Sequence, residues 1–272
     1  MLGQAHRIAW PRVTLLLLGQ TTMTAPVHIE HLDDHVLRAT ICRPEVLNAI
    51  NFDVMAGLEA LIDELEAGQV RVLLLRGAGE RAFVSGGDLR AFAPLTSHQD
   101  ALDMSQRMGQ ILARFERAPC WVVAQVNGDA YGGGCEIMAA CDLRWTHQGV
   151  RLGWTQARFA LPPGWGGLTR LVECVGRATA LSWLAQASVV SAHEAAQAGF
   201  VDHVSDDAQA LEREVTALAE RLAKQPRALI QALKKGSHSV SRDAQILAER
   251  APFARAWASQ EHHDRVQRFL AR

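Results

Sequence analysis

The sequence predicts an α/β fold in which a strand, a glycine turn and a helix follow one another repeatedly. Apolar runs at residues 70–75 and 121–126 have the length and continuity of buried strands. A glycine pair at 86–87 follows the first run and a glycine triplet at 132–134 follows the second, each before a probable helix. Such internal repetition of strand and helix is typical of layered α/β proteins.

The first half of the chain can be divided into elements in order. Alternating apolar and polar residues around Asp33-Asp34 predict a β-hairpin over residues 27–41. Apolar residues at helical spacing predict a helix that begins at Asn51 or Asp53 and ends at about residue 67. The other predicted elements here are a helix capped by Asp88, a mobile polar lid within 94–105, a helix at 104–116, a helix beginning near 137 and a strand at 142–146.

Helices dominate the second half of the chain. They are predicted at 168–175, 178–186, 192–198, 208–224, 226–239 and 241–272. No linker or low-complexity tract divides the sequence. We therefore expect a core at residues 25–204, followed by a C-terminal helical region at 205–272 that packs on a neighbouring subunit.

The first 24 residues predict an extension that the fold does not need. Their apolar run at 13–18 loosely imitates a signal peptide, but it is too short to span a bilayer. Met23 stands directly before the first regular strand, so translation can start at Met1 or at Met23. A targeting role for this segment is the alternative interpretation.

Composition and charge restrict the function classes. Of 272 residues, 49% are apolar and 21% are charged, as in soluble globular proteins. The net charge of -1 does not favour binding to nucleic acid or to an anionic membrane. The five cysteines and eleven histidines lack metal-ligand spacing, so no metal is expected. We interpret the cysteines as reduced thiols in a cytoplasmic protein.

The segment at 127–136 combines a strand end, three glycines and a helix start. The first N–H groups of a helix have no acceptor within it and lie at the positive end of its dipole. Glycines let a ligand approach the backbone closely, and Glu136 adds a carboxylate just inside the helix. This combination suits an oxygen that gains negative charge during a reaction, with a proton-transfer group beside it. An ordinary glycine-rich turn is the alternative.

Several motifs together resemble the crotonase superfamily of enoyl-CoA hydratases and isomerases. They are Arg-Pro through Leu-Asn-Ala at 43–49, Arg-Ala-Phe through Gly-Gly-Asp at 81–88, Asn-Gly through Gly-Gly-Gly-Cys-Glu at 127–136, and Pro-Gly-Trp-Gly-Gly at 163–167. The resemblance implies a crotonase-like spiral of ββα units with a C-terminal helical oligomerisation region, assembled as a homotrimer or a hexamer. It also implies an acyl-CoA thioester substrate, with coenzyme A as part of that substrate and no permanently bound cofactor.

The same resemblance assigns roles to residues by position. It implies that the backbone N–H groups of Ser85 and Gly133 form an oxyanion hole for a thioester enolate. The residues that match coenzyme A-binding positions are Arg81, Gly86, Gly87, Asp88, Phe253 and Arg272. For Phe253 and Arg272 the expected contact is with the nucleotide of an adjacent subunit, although an arginine at a chain end is also an ordinary surface group.

Typical hydratases of this superfamily use two glutamates, and this chain retains one. Glu136 occupies the first position, whereas Gln156 occupies the second. Residues 143–172 contain no aspartate or glutamate that can replace it. A glutamine side chain can orient water but cannot exchange a proton. The predicted catalytic set is therefore Glu136, Ser85, Gly133 and Gln156, and a two-glutamate hydratase is disfavoured.

The sequence thus predicts an enzyme of the enoyl-CoA hydratase/isomerase type, in acyl-CoA or fatty acid metabolism, with one catalytic carboxylate. One alternative is a decarboxylase of a short malonyl-type thioester such as methylmalonyl- or ethylmalonyl-CoA, because losing CO₂ creates the enolate directly. The motif at 163–167 resembles that of ethylmalonyl-CoA decarboxylase-type members, and Arg158 can bind a substrate carboxylate or serve as a surface group. A second alternative is a non-catalytic protein that binds coenzyme A or a partner.

Overall fold

Two β-sheets and the helices around them form the part of the chain that the computed structural model describes, residues 25–237 and 239–271. The strands are β1 (Val27–His31), β2 (Val36–Ile41), β3 (Val72–Gly77), β4 (Ala82–Val84), β5 (Trp121–Val126), β6 (Asp129–Tyr131), β7 (Leu143–His147), β8 (Arg151–Gly153), β9 (Val189–Ser191) and β10 (His203–Ser205). The α-helices are α1 (Phe52–Ala67), α2 (Leu89–Phe92), α3 (His98–Arg117), α4 (Gly133–Ala140), α5 (Gly167–Ala185), α6 (Ala192–Gln197), α7 (Ala208–Leu222), α8 (Arg227–Gly236), α9 (Val240–Ala248), α10 (Arg250–Trp257) and α11 (Gln260–Leu270). The predicted extension at 1–24 lies outside the described residues.

The larger sheet has the strand order β1-β2-β3-β5-β7-β10, and the smaller sheet has the order β4-β6-β8-β9. β1 and β2 pair antiparallel, which confirms the predicted hairpin. From β2 to β10 the strands of the larger sheet run parallel, and β4, β6 and β8 do so in the smaller sheet. Parallel sheets with intervening helices confirm the predicted α/β class.

The central strands β3 and β5 of the larger sheet are buried on both faces, which explains their nearly unbroken apolar runs. In β3, Leu73 and Leu75 belong to the main core, which also contains the apolar faces of α1 and α3. Val72 and Leu74 point to the opposite face, where they share a second core with Leu211 and other apolar residues of α7. The period-2 alternation of a half-exposed strand is absent for this reason.

Two buried asparagines hold the ends of the strands that lead to the glycine segments. The Asn127 side-chain nitrogen donates to the carbonyls of Gly77 at 2.8 Å and Gly79 at 2.6 Å. That of Asn48 donates to the Ala82 carbonyl at 2.8 Å. The chain segments after β3 and β5 therefore leave the sheet at one edge and face a common space.

The predicted mobile lid at 94–105 is wrong from residue 98 onward, which is two thirds of its length. Helix α3 begins at His98, because Ser97 and Asp100 form a capping box in which each side chain accepts the other's backbone N–H. Ala101 and Met104 then pack into the main core. The polar residues that suggest a loop are the cap and the solvent-facing side of an amphipathic helix.

The C-terminal helices are more divided than predicted, although the C-terminal helical region itself is confirmed. The single helix predicted at 241–272 is three helices within the described residues, α9, α10 and α11. The helices predicted at 168–175 and 178–186 are joined in α5, which departs from helical geometry at Gly176 (φ 76°, ψ 158°). The oligomeric state expected for this region stays a prediction. In the described part of the chain, none of the helices has the length and apolar content needed to cross a membrane.

Candidate active site

A cavity of about 970 Å³ brings the two glycine segments together. The predicted site residues in its wall are Arg81, Ser85, Gly86, Gly87, Asp88, Gly133, Glu136, Gln156 and Phe253. The remaining one, Arg272, lies outside the described residues. The wall thus unites residues from the ends of β4 and β6, the segment before α5 and the C-terminal helices.

Each glycine of the triplet is explained by a different local constraint. Gly132 has a φ of 51°, in the region that favours glycine. A Cβ on Gly133 would lie 2.1 Å from Cζ3 of Trp165, and one on Gly134 would lie 2.0 Å from the Val84 carbonyl oxygen. Packing within the protein therefore accounts for two of the three glycines without a ligand.

The two amides expected to bind a thioester oxygen differ in the structure. Gly133 is the first residue of α4, so its N–H has no acceptor within the helix. The Ser85 N–H donates to the Leu47 carbonyl over 3.0 Å. Leu47 has a φ of 55°, which residues other than glycine rarely adopt. A ligand oxygen at Ser85 would have to share this donor with Leu47 or replace its carbonyl.

Four N–H donors enclose the carboxylate of Glu136, which is 3% exposed. One carboxylate oxygen accepts from the backbone of Trp165 at 2.7 Å and Gly167 at 3.0 Å. The other accepts from the backbone of Gly164 at 3.3 Å and from Nε2 of Gln156 at 3.2 Å. Glu136 therefore fastens the segment that enters α5 to helix α4.

Burial raises the pKa of Glu136 to about 7, because leaving water disfavours the charged form of a carboxyl group. The hydrogen bond from the Trp165 backbone lowers this pKa, and the nearby charge of Glu249 raises it further. A group with a pKa near neutrality can both donate and accept a proton at physiological pH.

Gln156 begins a 3₁₀ helix (Gln156–Phe159) directly beside Glu136 and is 9% exposed. The other carboxylates in the described wall of the cavity are Glu45 and Glu261, which are exposed, and Asp88. Gln156 cannot exchange a proton. Among the described carboxylates of this wall, Glu136 is the one that is buried and has no cationic partner, since Asp88 pairs with Arg43.

Asp88 is engaged within the protein. One carboxylate oxygen accepts from the N–H groups of Arg90 and Ala91, which confirms the predicted cap of α2. The other lies 2.8 Å from a guanidinium nitrogen of Arg43. Arg81, by contrast, is exposed at the mouth of the cavity.

Phe253 lines the cavity of its own chain, whereas the sequence predicts a contact with an adjacent subunit's ligand. It is 5% exposed, and its ring packs so closely on Gly164 that a Cβ there would lie 2.5 Å from it. Helix α10 packs against α3 in this chain and brings the ring inward.

Helix α11 contributes wall residues that the sequence analysis does not identify: Arg265, Arg268, Phe269 and Leu270. Nδ1 of His262 lies 2.8 Å from the Phe159 carbonyl oxygen, and the rings of Phe159 and Phe269 pack edge to face at 5.5 Å. The amphipathic pattern of α11 indicates a packed face but not the surface on which it packs.

Two further residues named from the sequence lie in the wall. Arg158 is exposed, and its guanidinium donates to the Ala187 carbonyl over 3.4 Å. The Tyr131 hydroxyl donates to Asp129 over 2.8 Å. The described residues contain no group of three or more His, Cys, Asp or Glu side chains that can hold a metal ion.

The chain is similar to known proteins in sequence and in fold. A family model described as enoyl-CoA hydratase/isomerase matches residues 32–271. An ethylmalonyl-CoA decarboxylase of Gallus gallus is 32% identical over 225 residues, covering 80% of this chain and 75% of that protein. An ethylmalonyl-CoA decarboxylase of Xenopus laevis is 34% identical over 178 residues, which are 65% of this chain. The match covers 60% of that relative, less than two thirds of its length. An enoyl-CoA hydratase structure from Bacillus anthracis is 25% identical, with a TM-score of 0.75 over 90% of this chain and 96% of that one. These likenesses confirm the expected crotonase-type fold.

Proposed function

We propose, since this chain belongs to the enoyl-CoA hydratase/isomerase family of enzymes, that it forms a thioester enolate in the cavity and exchanges one proton with it through Glu136. One observation carries this proposal. The carboxyl of Glu136 is buried in the cavity wall, its pKa is raised to about 7, and the neighbouring catalytic position holds the neutral Gln156.

The thioester carbonyl oxygen binds, in this proposal, at the N–H groups of Gly133 and Ser85. The N–H of Gly133 is available at the start of α4, and the helix dipole favours negative charge there. At Ser85 the ligand oxygen shares the N–H with Leu47 or displaces its carbonyl. Donors aimed at a developing negative charge in a site without water supply a large part of the stabilisation of such enolates.

Decarboxylation of a short malonyl-type thioester is the reaction that this geometry fits best. The bond between the α-carbon and the carboxylate carbon breaks, CO₂ leaves, and the electron pair passes to the thioester oxygen as an enolate. Protonated Glu136 then gives its proton to the α-carbon, and solvent restores that proton. The reaction needs no base to activate water, so one carboxyl group with a pKa near neutrality is sufficient.

The names of relatives from two vertebrates, both ethylmalonyl-CoA decarboxylases, support this choice. Isomerisation of an enoyl thioester is the second candidate. It also requires only one carboxylate, which takes a proton from one carbon and returns it to another, and the matching family model includes isomerases by its description. Hydration with two carboxylates is disfavoured because Gln156 cannot act as an acid or a base.

The test is to incubate the purified protein with crotonyl-CoA, a 3-enoyl-CoA, methylmalonyl-CoA and ethylmalonyl-CoA and to identify products by mass spectrometry. We expect loss of CO₂ from at least one malonyl-type thioester. Glu136→Gln should lower kcat by roughly 10²–10⁴-fold, the usual size of a proton-transfer contribution. Glu220→Gln, which removes an exposed carboxylate on α7, is the matched control and should leave kcat unchanged.

The pH dependence separates the two candidates. Decarboxylation uses the protonated form of Glu136, so kcat should fall as pH rises through about 7. Isomerisation begins with the ionised form as a base, so its kcat should rise over the same interval. Binding of butyryl-CoA without turnover of any thioester would contradict both and favour a non-catalytic binding protein.

A further inference from the structure

We propose that the indole of Trp165 sets the size of the substituent that the substrate can carry on its α-carbon. The proposal rests on the proposed function in one respect, the placement of the thioester oxygen at the Gly133 amide. It goes beyond that function because it identifies the residue that selects among acyl groups.

The indole lies directly against the start of α4. A Cβ on Gly133 would be 2.1 Å from Cζ3 and 2.5 Å from Cη2 of Trp165. A Cβ on Gly87 would be 3.8 Å from Cζ2 of the same ring. The six-membered ring therefore spans the space between the two glycine segments. Trp165 is 5% exposed and belongs to the cavity wall.

The backbone of Trp165, from which the ring projects, is held on both sides. The Trp165 N–H donates to Glu136 over 2.7 Å. The Trp165 carbonyl accepts from Nη1 of Arg170 over 2.7 Å, and the rest of that guanidinium makes two hydrogen bonds, of 2.9 and 2.6 Å, to the carboxylate of Glu116. Arg170 is 1% exposed and Glu116 is 7% exposed. Since these buried groups hold the backbone of Trp165 in place, the indole can make room for a ligand only by rotating about its own side-chain bonds, within a closely packed wall.

The chemistry of the substrate places its α-carbon beside this ring. The α-carbon is only two covalent bonds from the thioester oxygen, so a substrate held at Gly133 must carry its α-substituents close to that residue's neighbours. An indole edge is apolar, and it accepts alkyl groups while leaving polar groups without hydrogen bonds. The substituent is therefore a short alkyl group, and the fixed ring limits its length.

The test compares Trp165→Phe and Trp165→Leu with the wild-type protein on malonyl-, methylmalonyl-, ethylmalonyl- and butylmalonyl-CoA. Both substitutions enlarge the space and keep the backbone N–H that binds Glu136. The ratio of kcat/KM for the butyl to the methyl substrate should rise about 10-fold or more, since one methylene group in an apolar pocket changes selectivity by roughly 10–200-fold. Trp121→Phe, at a half-buried indole on β5 in the second core, is the matched control.

A binding experiment tests the same proposal without turnover. Calorimetry should give a wild-type Kd that is at least tenfold weaker for a bulky α-branched saturated thioester, 2-butylhexanoyl-CoA, than for butyryl-CoA, and both Trp165 variants should reduce this difference. If the wild-type protein decarboxylates no thioester but the Trp165 variants still reduce this difference in Kd, the proposed reaction fails and the size limit stands. If the variants weaken the binding of all thioesters by the same factor, or leave the selectivity unchanged, Trp165 is only a structural residue and the proposal is overturned.

Discussion

The two glycine segments resemble each other in sequence but place their acids in different surroundings. In both, a strand leads to adjacent glycines and then to a carboxylate near a helix start. Asp88 caps α2 and pairs with Arg43, so its charge is compensated within the protein. Glu136 is enclosed by neutral N–H donors, and burial raises its pKa to about 7. Similar motifs therefore place one carboxylate beside a cation and the other among neutral donors, because the partners come from distant parts of the chain.

The largest expected effect concerns stability and tests the unusual state of Glu136. Its pKa is about 7 in the folded protein against an ordinary value of 4.5, so its stabilising contribution is complete below about pH 4.5 and is lost as pH rises through about 7. This loss is on the order of 3 kcal/mol for a shift of this size. Glu136→Gln should therefore gain stability relative to wild type between about pH 5 and pH 8.

Urea unfolding of both proteins across this interval measures the difference. Parallel stability curves for wild type and Glu136→Gln would show that the carboxyl group titrates near its ordinary value. In that case the contrast between Glu136 and Asp88 would lose its electrostatic basis.

The next effect concerns the Gly133 amide. Gly133→Ala should force the indole of Trp165 away, because the added Cβ would lie 2.1 Å from the ring. Alanine keeps the N–H, but relieving this clash shifts the start of α4 or the indole and misaligns that donor, so we expect kcat to fall about 100-fold, comparable with loss of one oxyanion donor. Gly79→Ala is the control: an added Cβ at Gly79 would have nothing within 4 Å, although the φ of 74° there adds a backbone strain that Gly133→Ala does not. A control that loses as much kcat as Gly133→Ala would refute the specific role of the amide.

The smallest effect is expected at the first glycine segment. Asp88→Asn keeps an oxygen that can cap α2 but removes the charge that pairs with Arg43. The free energy of unfolding should decrease by about 2 kcal/mol, the scale of a hydrogen bond to a charged group, because this pair is largely buried. If Asp88 has no part in proton transfer, kcat should remain within twofold of wild type when measured with saturating substrate. A loss of kcat as large as that of Glu136→Gln would make the two acids equivalent.

Several residues of the candidate site could be predicted because the constraints on them are local. The glycine triplet, Glu136 and the missing second carboxylate at Gln156 all lie within short segments of recognisable spacing. The capping box of α3 is equally local, yet the polar composition of this segment predicts a lid. Ser97 and Asp100 show that composition alone does not separate a helix start from a lid.

Sequence alone determined the α/β class, the order of most elements and the positions of the two glycine segments, because apolar runs and turn residues act over a few neighbouring positions. Tertiary structure decided which donors and acceptors remain available. The Leu47 carbonyl occupies the Ser85 amide, and Arg170 holds the carbonyl of the residue whose ring covers Gly133. Phe253 and α11 reach the cavity of their own chain from far along the sequence. Such contacts depend on how distant segments pack. The burial of the Glu136 carboxylate and its raised pKa therefore follow from the assembled fold and not from any single motif.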